Sequence, residues 1–494
     1  MESSIVTSRE DREKVFDAAC EEAGHHLINF CLLTNPSYER AKHLDFLAQK
    51  LEAVERGEIK KLMIFIPPRH GKSETASIRF PAWFLGRNPT KRIIHASYSA
   101  TLSNTFSRQV RNLIGSNIYK LIFNINIAPD SRAVDEWDLD GTKGGMISRG
   151  VGGSITGWGA DILIVDDPIK GPEEAESETS QENLYDWYQS VARTRLEPGA
   201  AQIVIMARWN KKDLAGRILE EQNDWEIIDL RAISEEDDLL GRVKGEALWP
   251  DRFPLEALLD IKHDIGSRSW SALYKGEPQD IESQIFKREW IDWYDDTPLG
   301  CIRGGGIDTA TSKSTSADNM AFVDVCKAPD KFMYVDDAFC EKLSVKAFAE
   351  HVCNQHKIKH YRGIRLESNN AGEAIKQRID EMGREMETTP PVRAVATSTD
   401  KVIRAFEFQA KVENKTIKFK RGNKKVAELV EHLVSFDGKG GDIDDDVDAL
   451  GFAIKAVTGS DSLAEQEKRR DKVVAETHRP RRTPLVTARS MSNW

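Results

Sequence analysis

Between residues 62 and about 232 the sequence alternates short apolar runs with longer stretches of helical periodicity, and few folds accommodate that rhythm. The runs lie at 63–66, 92–97 (RIIHAS), 162–167 (ILIVDD), 202–207 (QIVIMA) and 225–230 (WEIIDL). Strands that read as near-continuous apolar segments, each followed by a helix, are buried on both faces, so the pattern predicts an α/β fold with a parallel sheet covered by helices.

The first run leads into MIFIPPRHGKSETAS, residues 63–77. Gly71, Lys72 and Ser73 fill the end of a phosphate-binding loop, while Ile66 stands where the first glycine of the usual pattern belongs. The chemistry survives that change if the backbone amides can still be turned round an anion. Pro67 and Pro68 stiffen the turn, Gly71 permits close approach, Lys72 brings a point charge to phosphate oxygens and Ser73 a hydroxyl to Mg²⁺. The stretch after it reads as a helix whose amino end would face the anion. The plainer alternative is a basic strand-to-helix loop.

ILIVDDPIK, residues 162–170, ends a strand in two carboxylates, as a Walker B strand does. Asp166 is placed to serve Mg²⁺ and Asp167 to orient an attacking water. The glycine-rich segment 148–161 is either a linker or a mobile element, with Arg149 as a candidate finger toward a γ-phosphate. MARWN puts Arg208 and Asn210 at a strand's carboxyl end, in a sensor role or a simple ion-pair role. Residues 1–60 read as a charged helical lid, 61–234 as the nucleotide-binding core and 235–295 as a linker or small subdomain. Residues 296–460 form a second block, and 461–494 a basic tail.

The second block reads as three antiparallel strands (in CIRGGGIDTATSKSTSADNMAFVDVCK and KFMYVDDAFC), followed by alternating helix and strand. That is the order of a ribonuclease-H-like fold. Asp308 ends the first strand above Gly304–Gly306, Glu367 ends the fourth, and Asp444, Asp445 and Asp448 open a helix in DIDDDVDAL. Clustered carboxylates from separate elements repel unless cations neutralise them, and two Mg²⁺ or Mn²⁺ ions would also activate water toward a phosphodiester. Singly, Asp308 reads as a turn former, Glu367 as a surface acid and the aspartates as a helix cap. A one-residue slide along the run selects Asp446 instead.

The formal net charge of −10 argues against a permanently DNA-coated protein but not against local, transient grip. Six cysteines (Cys20, Cys31, Cys301, Cys326, Cys340, Cys353) show no metal-ligand spacing and read as reduced thiols. No long apolar stretch and no signal peptide are visible, as expected of a cytoplasmic protein.

Taken in order, PPRHGKSE, LIVDDP, MARWN, GIDTA, ESN and DDDVDAL give the chain a resemblance, over roughly residues 40–458, to the large terminase subunit of tailed bacteriophages. The resemblance implies an amino-terminal ATPase of the additional-strand conserved-glutamate (ASCE) type and a carboxy-terminal RNase H-like nuclease. It implies that Arg69, His70, Gly71, Lys72, Ser73, Glu74 and Asp166 bind ATP and Mg²⁺, and that Asp167 serves hydrolysis. Asp308, Glu367 and acids of the 444–448 run (Asp444, Asp445, Asp448) would hold the nuclease metals. Asp167 departs from the family's frequent glutamate, and the trans-acting arginine has no assigned residue. The implied partners are double-stranded DNA, a small terminase subunit and the portal of a procapsid, on which the chain would form a homo-oligomeric ring. The rival readings are a cellular repair or recombination ATPase-nuclease and a non-enzymatic, nucleotide-gated assembly factor. From 468 to 494 the tail holds eight basic residues against two acidic ones, either solvated or docking on an acidic portal surface or DNA.

Overall fold

The computed structural model describes residues 9–131, 133–155, 157–236, 238–279, 285–309, 319–368, 370–397, 400–438 and 445–459. Asp444 and the basic tail lie outside these residues. The described chain forms two compact units, one of residues up to 285 together with 400–414, the other of 286–397 with 415–459.

The first unit is built on a seven-stranded sheet of β1 (Lys61–Phe65), β2 (Arg92–Ser97), β3 (Glu136–Asp138), β4 (Gly145–Gly150), β5 (Ala160–Asp166), β6 (Leu196–Ile205) and β7 (Glu226–Asp229). Their spatial order is β3-β4-β2-β5-β6-β1-β7, parallel throughout except for the β3–β4 edge. One strand, β6, therefore separates β1 from β5, which is the additional strand of the ASCE arrangement. Ile64, Ile93, Ile164 and Ile203 are fully buried beneath one helical layer, and Met63, Ile94, Leu163 and Val204 beneath the other.

Three sequence expectations are revised here. Part of the segment read as a glycine-rich loop is strand β4, so Arg149 sits within the sheet. The helices Arg9–His25, Leu27–Thr34 and Lys42–Glu55, read as a lid, place Ala23, Leu27, Phe30, Leu47, Leu51 and Val54 in the main core. Of the stretch read as a linker, the part up to 279 also belongs to this unit, where Ala247, Leu258 and Trp270 form a small cluster with Ala232. The helix Leu255–Lys275 breaks at Gly266 (φ 78°), and there the helix Lys401–Glu413 packs against it, with Glu413 accepting from the Ser267 amide at 2.9 Å.

The second unit holds β8 (Asp292–Tyr294), β9 (Ile302–Thr309), β10 (Asn319–Lys327), β11 (Met333–Lys342), β12 (Gly363–Glu367), β13 (Val392–Val395) and β14 (Ile417–Lys420), in the order β13-β12-β9-β10-β11-β14-β8. β9, β10 and β11 are antiparallel and the outer strands parallel, as the RNase H-like reading requires. Helices Val345–Lys359 and Asn370–Glu385 cover one face, and Asp445–Thr458 the other. Gly306 lets that last helix in: a Cβ there would stand 1.9 Å from the Ala449 carbonyl oxygen. Cys301 and Cys326 are joined in a disulfide, which corrects the expectation of six thiols; Cys20, Cys31, Cys340 and Cys353 are free.

Candidate functional site

The loop after β1 carries two left-handed residues, Arg69 (φ 65°) and Gly71 (φ 83°), a conformation natural for glycine and costly for arginine. The Ile66 side chain is buried in the core, and its carbonyl accepts from the Lys72 ammonium at 3.4 Å. The side chain at the position of the missing glycine is thus taken up by the core. Lys72 is itself buried and lies 3.8 Å from Asp167 Oδ1. The helix that follows opens with a π-helical stretch, Glu74–Arg79, continuous with Phe80–Arg87, whose Pro81 has no amide to complete the regular ladder.

Asp166, the last residue of β5, is fully buried. One oxygen, Oδ2, accepts from Ser77 Oγ at 2.6 Å, while Oδ1 has no partner among the described residues. Burial and the neighbouring Asp167 charge push its pKa up to about 7, opposed by Ser77, Lys72 and Ser73. Asp167 leaves the strand with φ 44°, held by Tyr98 donating its amide to the Asp167 carbonyl (3.0 Å) and by its own amide donating to Ile205 (2.8 Å). A buried carboxylate oxygen without a donor, beside the Ser73 hydroxyl, suits a hard divalent cation with oxygen ligands.

Other expected contributors are committed elsewhere. The His70 ring stacks on Phe253 (4.6 Å between centroids), and its Nδ1 stands 2.8 Å from the Pro68 carbonyl. Glu74 is held by Arg79 at 2.7 Å and Asn35 at 3.2 Å. Arg149 donates to Asp135 and Glu136 at 2.9 and 3.1 Å, which occupies the guanidinium proposed as a finger. Arg208 pairs with the buried Asp213 at 3.0 Å and lies over the Phe65 ring at the end of β1. Arg69 is exposed. Ser77 was not anticipated, although its place four residues beyond Ser73 puts both hydroxyls on one helical face.

In the second unit, β12 runs parallel to β9 with Leu366 opposite Ile307, so the next residues, Glu367 and Asp308, end adjacent strands side by side. Asp308, Asp445, Asp446 and Asp448 are all buried, and Glu367 accepts from Thr397 Oγ1. Cys340 of β11 lies across Ala321 from Asp308, and burial together with the charges of Asp446, Asp445 and Asp308 pushes its thiol up to about 12. Gly304 faces Ala456 and Val457 while Gly306 faces Ala449 and Ala453, so the helix runs with its opening aspartates toward the Asp308 end of β9. Asp446, the residue of the alternative register, accepts from His432 Nδ1 at 2.7 Å, and its Oδ1 is unpartnered and buried. The set is all oxygen, the chemistry Mg²⁺ and Mn²⁺ prefer. Among the described residues, no three His, Cys, Asp or Glu side chains are grouped as one metal shell.

A phosphate loop and acid-ended strand on an additional-strand sheet, followed by an RNase H-like sheet carrying acids, define a two-domain protein with an ATPase-type and a nuclease-type fold. The family model for the amino-terminal domain of the terminase large subunit, T4-like virus type, matches residues 63–292, and that for the terminase RNase H-like domain matches 305–456. The chain belongs to the large terminase subunit family. The large terminase of a thermophilic bacteriophage is similar in fold, with 11% identity over 83% of this chain and 98% of its own, at a TM-score of 0.50. The same phage protein in complex with ADP aligns at 11% identity over 83% and 99%, TM-score 0.48. The large terminase nuclease of a second thermophilic phage, G20c, with bound magnesium, aligns at 11% identity over 35% and 95%, TM-score 0.27. No curated protein matches the chain in sequence.

Proposed function

We propose that this chain is the motor subunit that hydrolyses ATP to drive double-stranded DNA into a preformed procapsid and cuts concatemeric DNA at the start and end. The observation that carries the reading is the buried Lys72, 3.8 Å from Asp167 and next to an Asp166 with a donorless oxygen, in a chain that also bears acids at one end of an RNase H-like sheet.

In this reading Lys72 and the loop amides of 69–73 hold the phosphates of ATP, and Arg69 adds a second cation at the loop's tip. Ser73 and Asp166 hold Mg²⁺, which neutralises charge on the phosphate oxygens when bound. Asp167 faces the same space and accepts a proton from the attacking water. Arg208, fixed by Asp213, is a sensor at the loop's base. In the second unit Asp308, Glu367 and Asp445, with Asp444 and Asp448 nearby in sequence, hold the divalent ions of the nuclease and position the scissile phosphate.

The chain works with a small terminase subunit and as a homo-oligomeric ring on the portal, in the cytoplasm of the infected host. No helix among the described residues is long and apolar enough to cross a membrane. The test is packaging of a linear duplex by the purified protein with procapsids and ATP. Procapsid-stimulated ATP turnover with protection of the DNA from nuclease is the expected result; stimulation only by branched or damaged DNA points to a repair enzyme.

A further inference from the structure

The helix Lys42–Glu55 lays two consecutive side chains on the phosphate loop. His43 is fully buried, and its Nε2 stands 2.9 Å from the His70 carbonyl oxygen. A carbonyl only accepts, so Nε2 carries the proton, and Nδ1 is the unpartnered, buried lone-pair nitrogen. His70 in turn directs Nδ1 at the Pro68 carbonyl, 2.8 Å away. Leu44 abuts the loop's glycine: a Cβ on Gly71 would meet Leu44 Cδ2 at 2.9 Å. Trp249 and Phe253 close the outer side, with the Trp249 ring 5.2 Å from that of His43 and Phe253 stacked on His70.

These contacts bracket the two left-handed residues, Arg69 and Gly71, that aim the loop amides. A left-handed arginine is unfavourable and persists only where its surroundings enforce it. The bond from His43 falls on the carbonyl between those two residues, where it blocks rotation of the 70–71 peptide plane.

We infer that His43 is a positioning residue for nucleotide binding: its Nε2–H holds the His70 carbonyl outward and so keeps the amides of Gly71 and Lys72 turned toward the phosphates of ATP. Burial lowers the pKa of both imidazoles to about 4, so the clamp is neutral and adds no charge beside Lys72. The inference rests on the reading of residues 66–73 as the ATP site.

The test compares two amides in the full chain. In His43→Gln the side-chain nitrogen reaches the Nε2 position; in His43→Asn it falls short. With Mg²⁺ and ATP, His43→Asn is expected to raise KM about tenfold with kcat within about threefold of wild type, the worth of about one hydrogen bond. His43→Gln is expected to restore KM to within about threefold, while both variants melt at the same temperature without nucleotide. Equal KM for the two variants, or wild-type KM in His43→Asn, overturns the inference. Should His43→Asn not fold, His43→Gln alone decides, since a KM more than tenfold above wild type contradicts a role that rests on the donor. Lys72→Ala run in parallel separates the two levels. If it binds ATP normally the phosphate-loop reading fails; if it loses ATP while His43→Asn keeps it, only the clamp falls.

Discussion

At the scale of single residues the proposed nucleotide site concentrates unfavourable choices: a buried lysine, a buried carboxylate missing a donor, and left-handed backbone at Arg69 and Asp167. Such features persist where ligand contacts exploit them. Lys72→Ala is expected to abolish ATP turnover while leaving the circular dichroism spectrum unchanged, because Lys72 contacts the loop carbonyl rather than core side chains. Asp167→Asn should bind ATP but hydrolyse it about 10²–10⁴-fold more slowly, since the amide cannot take a proton and Asp166 is untouched; titration calorimetry against single-turnover hydrolysis separates the two effects. The buried imidazoles give a pH signature. His43 and His70 have pKa values lowered to about 4 and His95 to about 3, each by burial. Between about pH 6.5 and 4 the unfolded chain therefore binds protons that the folded chain refuses, so stability falls as pH falls. Each contributes a loss of about 2 kcal/mol by pH 5. Urea midpoints measured at pH 7 and pH 5 check this, and a His95→Gln variant should show a smaller drop.

At the scale of elements, the strands that end in the proposed site residues were legible and the parts that hold them in place were less so. Apolar runs ending in GKS or DD announce β1 and β5 because a central parallel strand has no polar positions to dilute the signal. β4 (GMISRG) escaped notice because its glycines and serine read as a loop. The helix Lys42–Glu55 was visible as amphipathic, but amphipathicity does not say what covers the apolar face, and that face proved to be the unit's core. Ser77 and His43 act through contacts 89 and 27 residues away in sequence, which no local pattern encodes. The aspartate run stayed ambiguous for a different reason. On a helix's first turn Asp445, Asp446 and Asp448 lie close together, and a contact with His432 marks out Asp446. The glycines of β9 seat that helix. Gly306→Val should drive the helix Asp445–Thr458 off the sheet, at a cost of about 1–3 kcal/mol for overpacking, and remove DNA cleavage while ATP hydrolysis survives. Plasmid nicking and phosphate release measured on one preparation decide it.

At the scale of the whole molecule, the proposed activities fall on different sheets and should separate genetically. Asp308→Ala is expected to eliminate cleavage in Mg²⁺ or Mn²⁺ yet package pre-cut linear DNA, because translocation draws on the nucleotide site of the first unit. Loss of ATP turnover in that variant would show the two sites to be interdependent. Asp336→Ala should spare cleavage, since Asp336 faces Arg303 at 3.0 Å in an ionic network with Asp324 and Lys359, remote in register from Asp308.

The helix Lys401–Glu413 sets a limit on that separability. The chain makes it between β13 and β14, yet Val402, Ala405, Phe408 and Val412 are buried in the first unit. A gene fragment beginning at codon 286 would encode a nuclease with this apolar face stripped of its cover. Such a fragment is expected to bind a hydrophobic dye and precipitate, and to turn monodisperse when a glycine-serine linker replaces residues 401–413. Recombination between related viral genomes meets the same constraint: a crossover ahead of the nuclease delivers a foreign helix to a resident groove, so exchanges that carry the helix and its Gly266 seat together are the ones that leave a working protein.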